Sequence, residues 1–154
     1  MAGTLAHTLR AHGIEPSAQR LAVARVVLRT DEHPSADEVC ARARRILATL
    51  SRATVYNTLN LFVDRGLLRA LVIAEGRTVF DPLTEPHHHF IDEHTGRIFD
   101  LPWDSLEVKK VDRLAGFDVR DYQVVLRGRR RNAANPARSA PGRGARRVPR
   151  TSRS

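Results

Sequence analysis

Three consecutive histidines, His87-His88-His89, follow the proline-bounded turn 81–86 and open an apolar-rich run ending at Asp92. If that run is a strand, its period of two puts His87 and His89 on one face and His88 on the other. Two imidazoles at H-x-H spacing on one strand face stand close enough to share one ion, a metal-chelating geometry. The plainer alternative is a solvated polar turn that happens to carry histidines. The single cysteine, Cys40, excludes an intramolecular disulfide and any multi-cysteine zinc knuckle, and its place in a helical pattern makes it a small core residue.

The elements that must position these histidines begin with four helices. Leu5 and Leu9 mark a first helix ending near Gly13, and Ser17 caps a second carrying Leu21, Ala24, Val27 and Leu28 that stops before His33-Pro34. Ser35-Ala36-Asp37-Glu38 forms a capping box for a third helix through Val39, Ala43 and Ile46-Leu47. Ser51 caps a fourth, with Val55, Leu59 and Phe62 at i, i+4 and i+7, ending at Gly66. Two β-prone runs, 67–73 and 77–81, flank Ala74-Glu75-Gly76 and predict a hairpin. Helices followed by a two-stranded wing outline a winged helix-turn-helix.

On the fourth helix, Arg52, Tyr56 and Asn60 lie opposite the apolar stripe, with Ser51, Thr54 and Asn57 near its N-terminal end. Those types suit base edges and phosphates, although an ordinary solvated face looks similar. Residues 82–86 form a stiff connector. Beyond it the pattern predicts strands over 87–92 and 97–101, a helix over 105–115 and a strand over 117–127. This segment is too short to hold a core alone, so its strand edges are expected to pair with a second copy.

The net charge of +9 is uneven: nine arginines and no acid fall in 129–154, while the other 17 basic residues are matched by 17 acidic ones in 1–128. The Arg/Pro/Gly/Ala/Ser composition of 129–154 predicts a disordered tail, either a tether for phosphate backbones or a solvated end without a specific role. No apolar run is long enough to span a bilayer and the N-terminus lacks a leader pattern, which predicts a cytoplasmic protein without membrane contact.

These residues together resemble the ferric uptake regulator family of dimeric, metal-dependent transcription factors. The resemblance runs over 13–128 and rests on Gln19-Arg20, on 33–37, on the string 51–59 with Ala53-Thr54-Val55-Tyr56, and on Gly66-Leu67. It continues through Phe80-Asp81, the histidine triplet, and Thr95-Gly96-Arg97-Ile98 with Asp100. It implies an α+β chain with a winged-helix DNA-binding domain over 1–81, a hinge over 82–86 and a small α/β dimerisation and metal-sensing domain over 87–128. It adds Gln19 and Arg20 to the DNA-contacting set and implies a regulatory metal site at His33, Asp81, His87, His89 and Asp100. Three imidazoles and two carboxylates without thiolate suit Fe(II), Mn(II), Co(II) or Zn(II); the family implies Fe(II) or Mn(II), with Zn(II) binding in vitro.

Two departures from the family pattern carry information. Asp92 and Thr95 replace a C-x-x-C pair, so no cysteine-ligated structural zinc is expected. Asp100 stands where the iron-uptake branch typically has Glu, as in the peroxide-sensing branch and the haem-linked iron response regulators. Of the family's additional metal site only His88 and Glu107 match, Pro86 and Arg129 replacing the others; His88 is a candidate for a second ion or haem. His7, His12 and His94 fit no ligand pattern. The expected function is a metal-dependent repressor of iron or peroxide response acting on a palindromic, A·T-rich duplex as a homodimer. The alternatives are a haem-responsive regulator of the same family or a zinc metallohydrolase, against which stands the lack of a group placed as general base.

Overall fold

The structure, a computed structural model, describes residues 2–131. The Arg-rich tail expected to be disordered lies, from residue 132 onward, outside the described residues. The chain is α+β: α1 (Ala2–Ala11), α2 (Ala18–Val27), α3 (Ala36–Arg44) and α4 (Arg52–Asp64), then a hairpin of β1 (Arg69–Ala74) and β2 (Arg77–Asp81), then a sheet of β3 (His87–Asp92), β4 (Ile98–Pro102) and β5 (Val125–Gly128).

The helices start where capping chemistry dictates. Ser17 Oγ accepts from the Arg20 N–H at 3.2 Å and Ser51 Oγ from the Thr54 N–H at 3.0 Å. At α3 the box closes both ways: Ser35 Oγ accepts from the Glu38 N–H, and Glu38 Oε2 accepts from the Ser35 N–H at 2.7 Å. Val55, Leu59 and Phe62 are fully buried and join Leu9, Val23, Val27, Val39, Cys40 and Ala43 in one helical core. Gly13 ends α1 in the left-handed region at φ 68°, and a Cβ there would lie 2.6 Å from Arg65 Nη1. The glycine thus lets Arg65, past the end of α4, donate to the Gly13 carbonyl at 2.8 Å.

The hairpin is antiparallel, with Arg69 opposite Asp81 and an irregularity between Val72 and Ala74. Its alternation puts Leu71, Ile73 and Val79 inward, where they form a second core with Ile91, Ile98 and Val125 of the other sheet. The Arg69–Asp121 ion pair ties the hairpin to the segment before β5, and an Arg127 hydrogen bond to the Ile73 carbonyl ties it to β5 itself. The inner face of the wing is therefore buried against the C-terminal sheet.

That sheet has the order β4-β3-β5, with β3 antiparallel to β4 and parallel to β5. Two expectations fail here. Residues 105–115 do not form a helix; short 3₁₀ turns occupy Trp103–Ser105 and Val111–Arg113, and Lys110 between them has φ 66°, which a helix excludes. Residues 108, 111 and 114 do fall at i and i+3, so the apolar pattern suits a helix and it is the left-handed backbone at Lys110 that breaks it. The strand expected over 117–127 shrinks to Val125–Gly128 because β3 offers partners only to that stretch, and the polar residues before it run along the surface. The α3 helix also ends earlier than expected: 3₁₀-type bonds from Arg45 and Ile46 to the carbonyls of Arg42 and Ala43 close its last turn.

The shared core makes a direct prediction. Ile73→Ala, at a 2% exposed position, should lower unfolding free energy in urea by about 2–5 kcal/mol. Val72→Ala, on the outer face at 69% exposure, should stay within about 0.5 kcal/mol of the parent.

Candidate metal centre

Asp81 is the last residue of β2 and is buried. His87 and His89 follow on one face of β3, as the period of two requires, and Asp100 is the cross-strand partner of His89 in β4. His33 arrives from the loop before α3, which is pinned to the hairpin: the Phe80 N–H donates to the Pro34 carbonyl at 2.9 Å and Ser35 forms a bridge with Val79. Four segments, the loop before α3, β2, β3 and β4, thus bring together one ligand atom each from His33, Asp81, His87, His89 and Asp100, all within 4.8 Å of one another. Four of the side chains are almost wholly buried, and Asp100, 33% exposed, lies at the open side.

The hydrogen-bond chemistry of this cluster is short of positive charge. His87 Nδ1 lies 2.8 Å from the Glu85 carbonyl, which can only accept, so Nδ1 carries the proton and Nε2 of a neutral ring presents its lone pair. That Nε2 nevertheless sits 2.8 Å from Asp81 Oδ2 and 2.9 Å from His89 Nε2. Asp81 Oδ2 is also 3.3 Å from His89 Nε2 and 3.5 Å from His33 Nε2. His33 Nε2 approaches Asp100 Oδ1 at 2.8 Å without the alignment of a hydrogen bond, and both its ring nitrogens and His89 Nδ1 are buried without a hydrogen-bond partner.

Converging lone pairs need a proton or a cation between them. The protein without metal answers with a proton. Burial alone would lower the His33 pKa, but the neighbouring Asp100 and Asp81 carboxylates outweigh it and raise it to about 9. Burial likewise opposes ionisation of Asp81, and contacts from His33 and His89 with the donated Leu83 N–H hold it ionised well below the usual carboxylate range. A divalent ion fits the same need with five ligands, and the Glu85 carbonyl supplies the outer contact that fixes one ligand's tautomer. Sequence reasoning had no signal for that backbone atom.

His88 lies on the opposite face of β3 and is fully buried. Its Nδ1 accepts from the Val124 N–H at 3.2 Å, and its ring stacks on Trp103 at 4.6 Å between centroids. Glu107 is exposed, and neither residue belongs to the one group of potential metal ligands among the described residues.

The residues expected to contact DNA separate into two surfaces. Gln19, Arg20, Thr54 and Asn57 line one cleft of about 350 Å³ between the start of α2 and α4. Tyr56 and Asn60 line another, of about 450 Å³, with Asp37 at the start of α3 and Arg77 of the hairpin. Ser51 and Arg52 are exposed at the N-terminal end of α4. Sequence reading missed Asp37, whose contact with Arg52 and Tyr56 depends on how α3 packs on α4.

Residues 11–127 match the sequence profile of the Ferric uptake regulator family. The peroxide-responsive repressor PerR of Staphylococcus aureus is 33% identical over 125 residues, covering 79% of this chain and 83% of that protein. Among solved structures, the ferric uptake regulator from Pseudomonas aeruginosa with manganese aligns with a TM-score of 0.64 at 25% identity, over 82% of this chain and 97% of that one. A zinc-bound manganese uptake regulator aligns with a TM-score of 0.61 at 27% identity, over 82% and 98%. With its profile match spanning most of the sequence, this chain belongs to the ferric uptake regulator family.

Proposed function

We propose that this protein is a metal-dependent, DNA-binding transcriptional repressor that senses iron or peroxide through a single Fe(II) or Mn(II) held by His33, Asp81, His87, His89 and Asp100. The observation that carries the reading is the convergence of these five side chains from the loop before α3, the hairpin and the C-terminal sheet. An ion there would fix the helices relative to that sheet, a ligand preferring one arrangement. Residues 1–81 read DNA in this account, 82–86 form the hinge, and 87–128 sense metal and dimerise. Zn(II) would occupy the site in vitro, since ligand type alone does not exclude it.

A homodimer is supported by the apolar side chains left exposed in the C-terminal half: Trp103, Leu114, Phe117 and Leu126. Two copies would place two α4 helices on a palindromic, A·T-rich duplex. Among the described residues no helix is long and apolar enough to cross a membrane, which accords with a cytoplasmic regulator. The 33% identical peroxide-responsive repressor and the aspartate at position 100 favour peroxide over iron supply as the signal. Redox-active iron is what would make such a site reactive toward peroxide.

The test is selection from a randomised duplex pool by the Mn(II)-loaded chain, followed by affinity measurement with metal and with chelator. The reading expects an enriched sequence bound tightly only with metal; equal binding in chelator would remove the metal from the account. Brief peroxide treatment should release DNA from the Fe(II)-loaded chain and leave the Mn(II)-loaded chain bound. On the enriched duplex, Tyr56→Ala and Arg52→Ala should each cost about 1–3 kcal/mol of binding while leaving the melting temperature unchanged, as expected of exposed side chains.

Proton competition makes a separate prediction. His33 without metal holds a proton up to about pH 9, and an imidazole must lose that proton to ligate. Apparent Mn(II) affinity should therefore tighten with rising pH by roughly tenfold per unit above the ordinary histidine range, and level off past about 9. Asp81 is ionised throughout this window and adds no slope. Titration calorimetry in buffers of different ionisation enthalpy should find about one proton released per ion at neutral pH; release of none would place His33 outside the site.

A further inference from the structure

Arg52 and Tyr56 on α4 do not stand alone. Arg52 Nη2 lies 2.9 Å from Asp37 Oδ1 and donates to the Tyr56 hydroxyl at 3.2 Å, and that hydroxyl donates to Asp37 Oδ1 at 3.2 Å. The guanidinium also sits over the Tyr56 ring, 5.3 Å from its centroid. The triangle is a surface feature: the Arg52 and Asp37 side chains are 64% and 65% exposed. An exposed ion pair adds little to stability, so folding does not explain its placement. Its location is specific, because Asp37 and Tyr56 border the groove between α3, α4 and the turn of the hairpin, where Arg77 also lies.

We propose that Asp37 is a specificity-determining positioning residue that neutralises and holds Arg52 and Tyr56 until matching bases replace it. This rests on reading α4 as the helix that contacts DNA. On a duplex without matching bases, Arg52 could offer only its charge to a phosphate, and the adjacent carboxylate cancels that charge. On a matching duplex, base-edge contacts by the guanidinium and the phenol compensate for breaking the triangle. Asp37 therefore weakens indiscriminate binding more than selective binding, which raises the ratio between them. It acts through two other side chains.

The test uses the full Mn(II)-loaded chain, the duplex that the wild type enriches from a randomised pool, and a shuffled duplex of equal length. Asp37→Asn keeps a polar residue in the first turn of α3 beside the intact Ser35–Glu38 box, and its helical content and melting curve verify folding. The variant should bind the shuffled duplex roughly three- to tenfold more tightly, with a salt slope steeper by about 0.9, the value for one more neutralised phosphate. The enriched duplex should change less, so the ratio of the two affinities falls. In an Arg52→Ala background, Asp37→Asn should leave the ratio unaltered. An unchanged ratio and slope in Asp37→Asn overturn the proposal. So does the same shift in the Arg52→Ala background, which would make Asp37 a direct repeller of phosphate. A wild-type chain that enriches no duplex overturns the DNA reading first and this inference with it.

Discussion

A buried carboxylate at the end of β2 sets the terms for the rest of this structure. Asp81 is 1% exposed, and an ionised acid in that position is tolerable only when opposite charge or donors surround it. The donors come from elsewhere in the chain: His33 from the loop before α3, His89 from β3, and the Leu83 N–H at 2.7 Å from the connector itself. Satisfying one side chain thus draws together the helical bundle, the hairpin and the C-terminal sheet. On the proposed reading, what fills the centre, a proton on His33 or a cation, would decide how firmly the helical side is drawn in.

Two kinds of force hold the halves, and they act on different elements. The hairpin is fastened to the C-terminal sheet by apolar packing of Leu71, Ile73 and Val79 on Ile91, Ile98 and Val125, which is indifferent to metal and only weakly sensitive to pH. The loop carrying His33 meets that sheet through polar groups, whose strength depends on the charge between them. On the proposed reading, the helical side of the wing is the part whose position would respond to the occupant of the site.

How much of this could be read from the residues depended on range. Helix starts at Ser17, Ser35 and Ser51 were legible because capping is decided within four residues, and the facing of His87 and His89 because strand alternation is local. The five-residue cluster was reached through resemblance, since no local rule brings position 33 to position 100; the structure shows the β3–β4 register and the pinned loop that do so. The segment 105–115 misled because its apolar residues are spaced as in an amphipathic helix while the left-handed backbone at Lys110 divides it, leaving only short turns. The burial of the wing's inner face on a second sheet and the reach of Asp37 to Arg52 are consequences of packing between elements, and left no mark in the residue pattern.

The central claim is that one ion binds among three imidazoles and two carboxylates, with no sulfur. X-ray absorption at the manganese or zinc edge of the loaded chain tests it most directly. The account predicts one ion per chain, a first shell of nitrogen and oxygen only, and outer-shell scattering from imidazoles that weakens when His33 or His89 is replaced by alanine. A sulfur ligand at Cys40, or a spectrum unchanged by those substitutions, would contradict it.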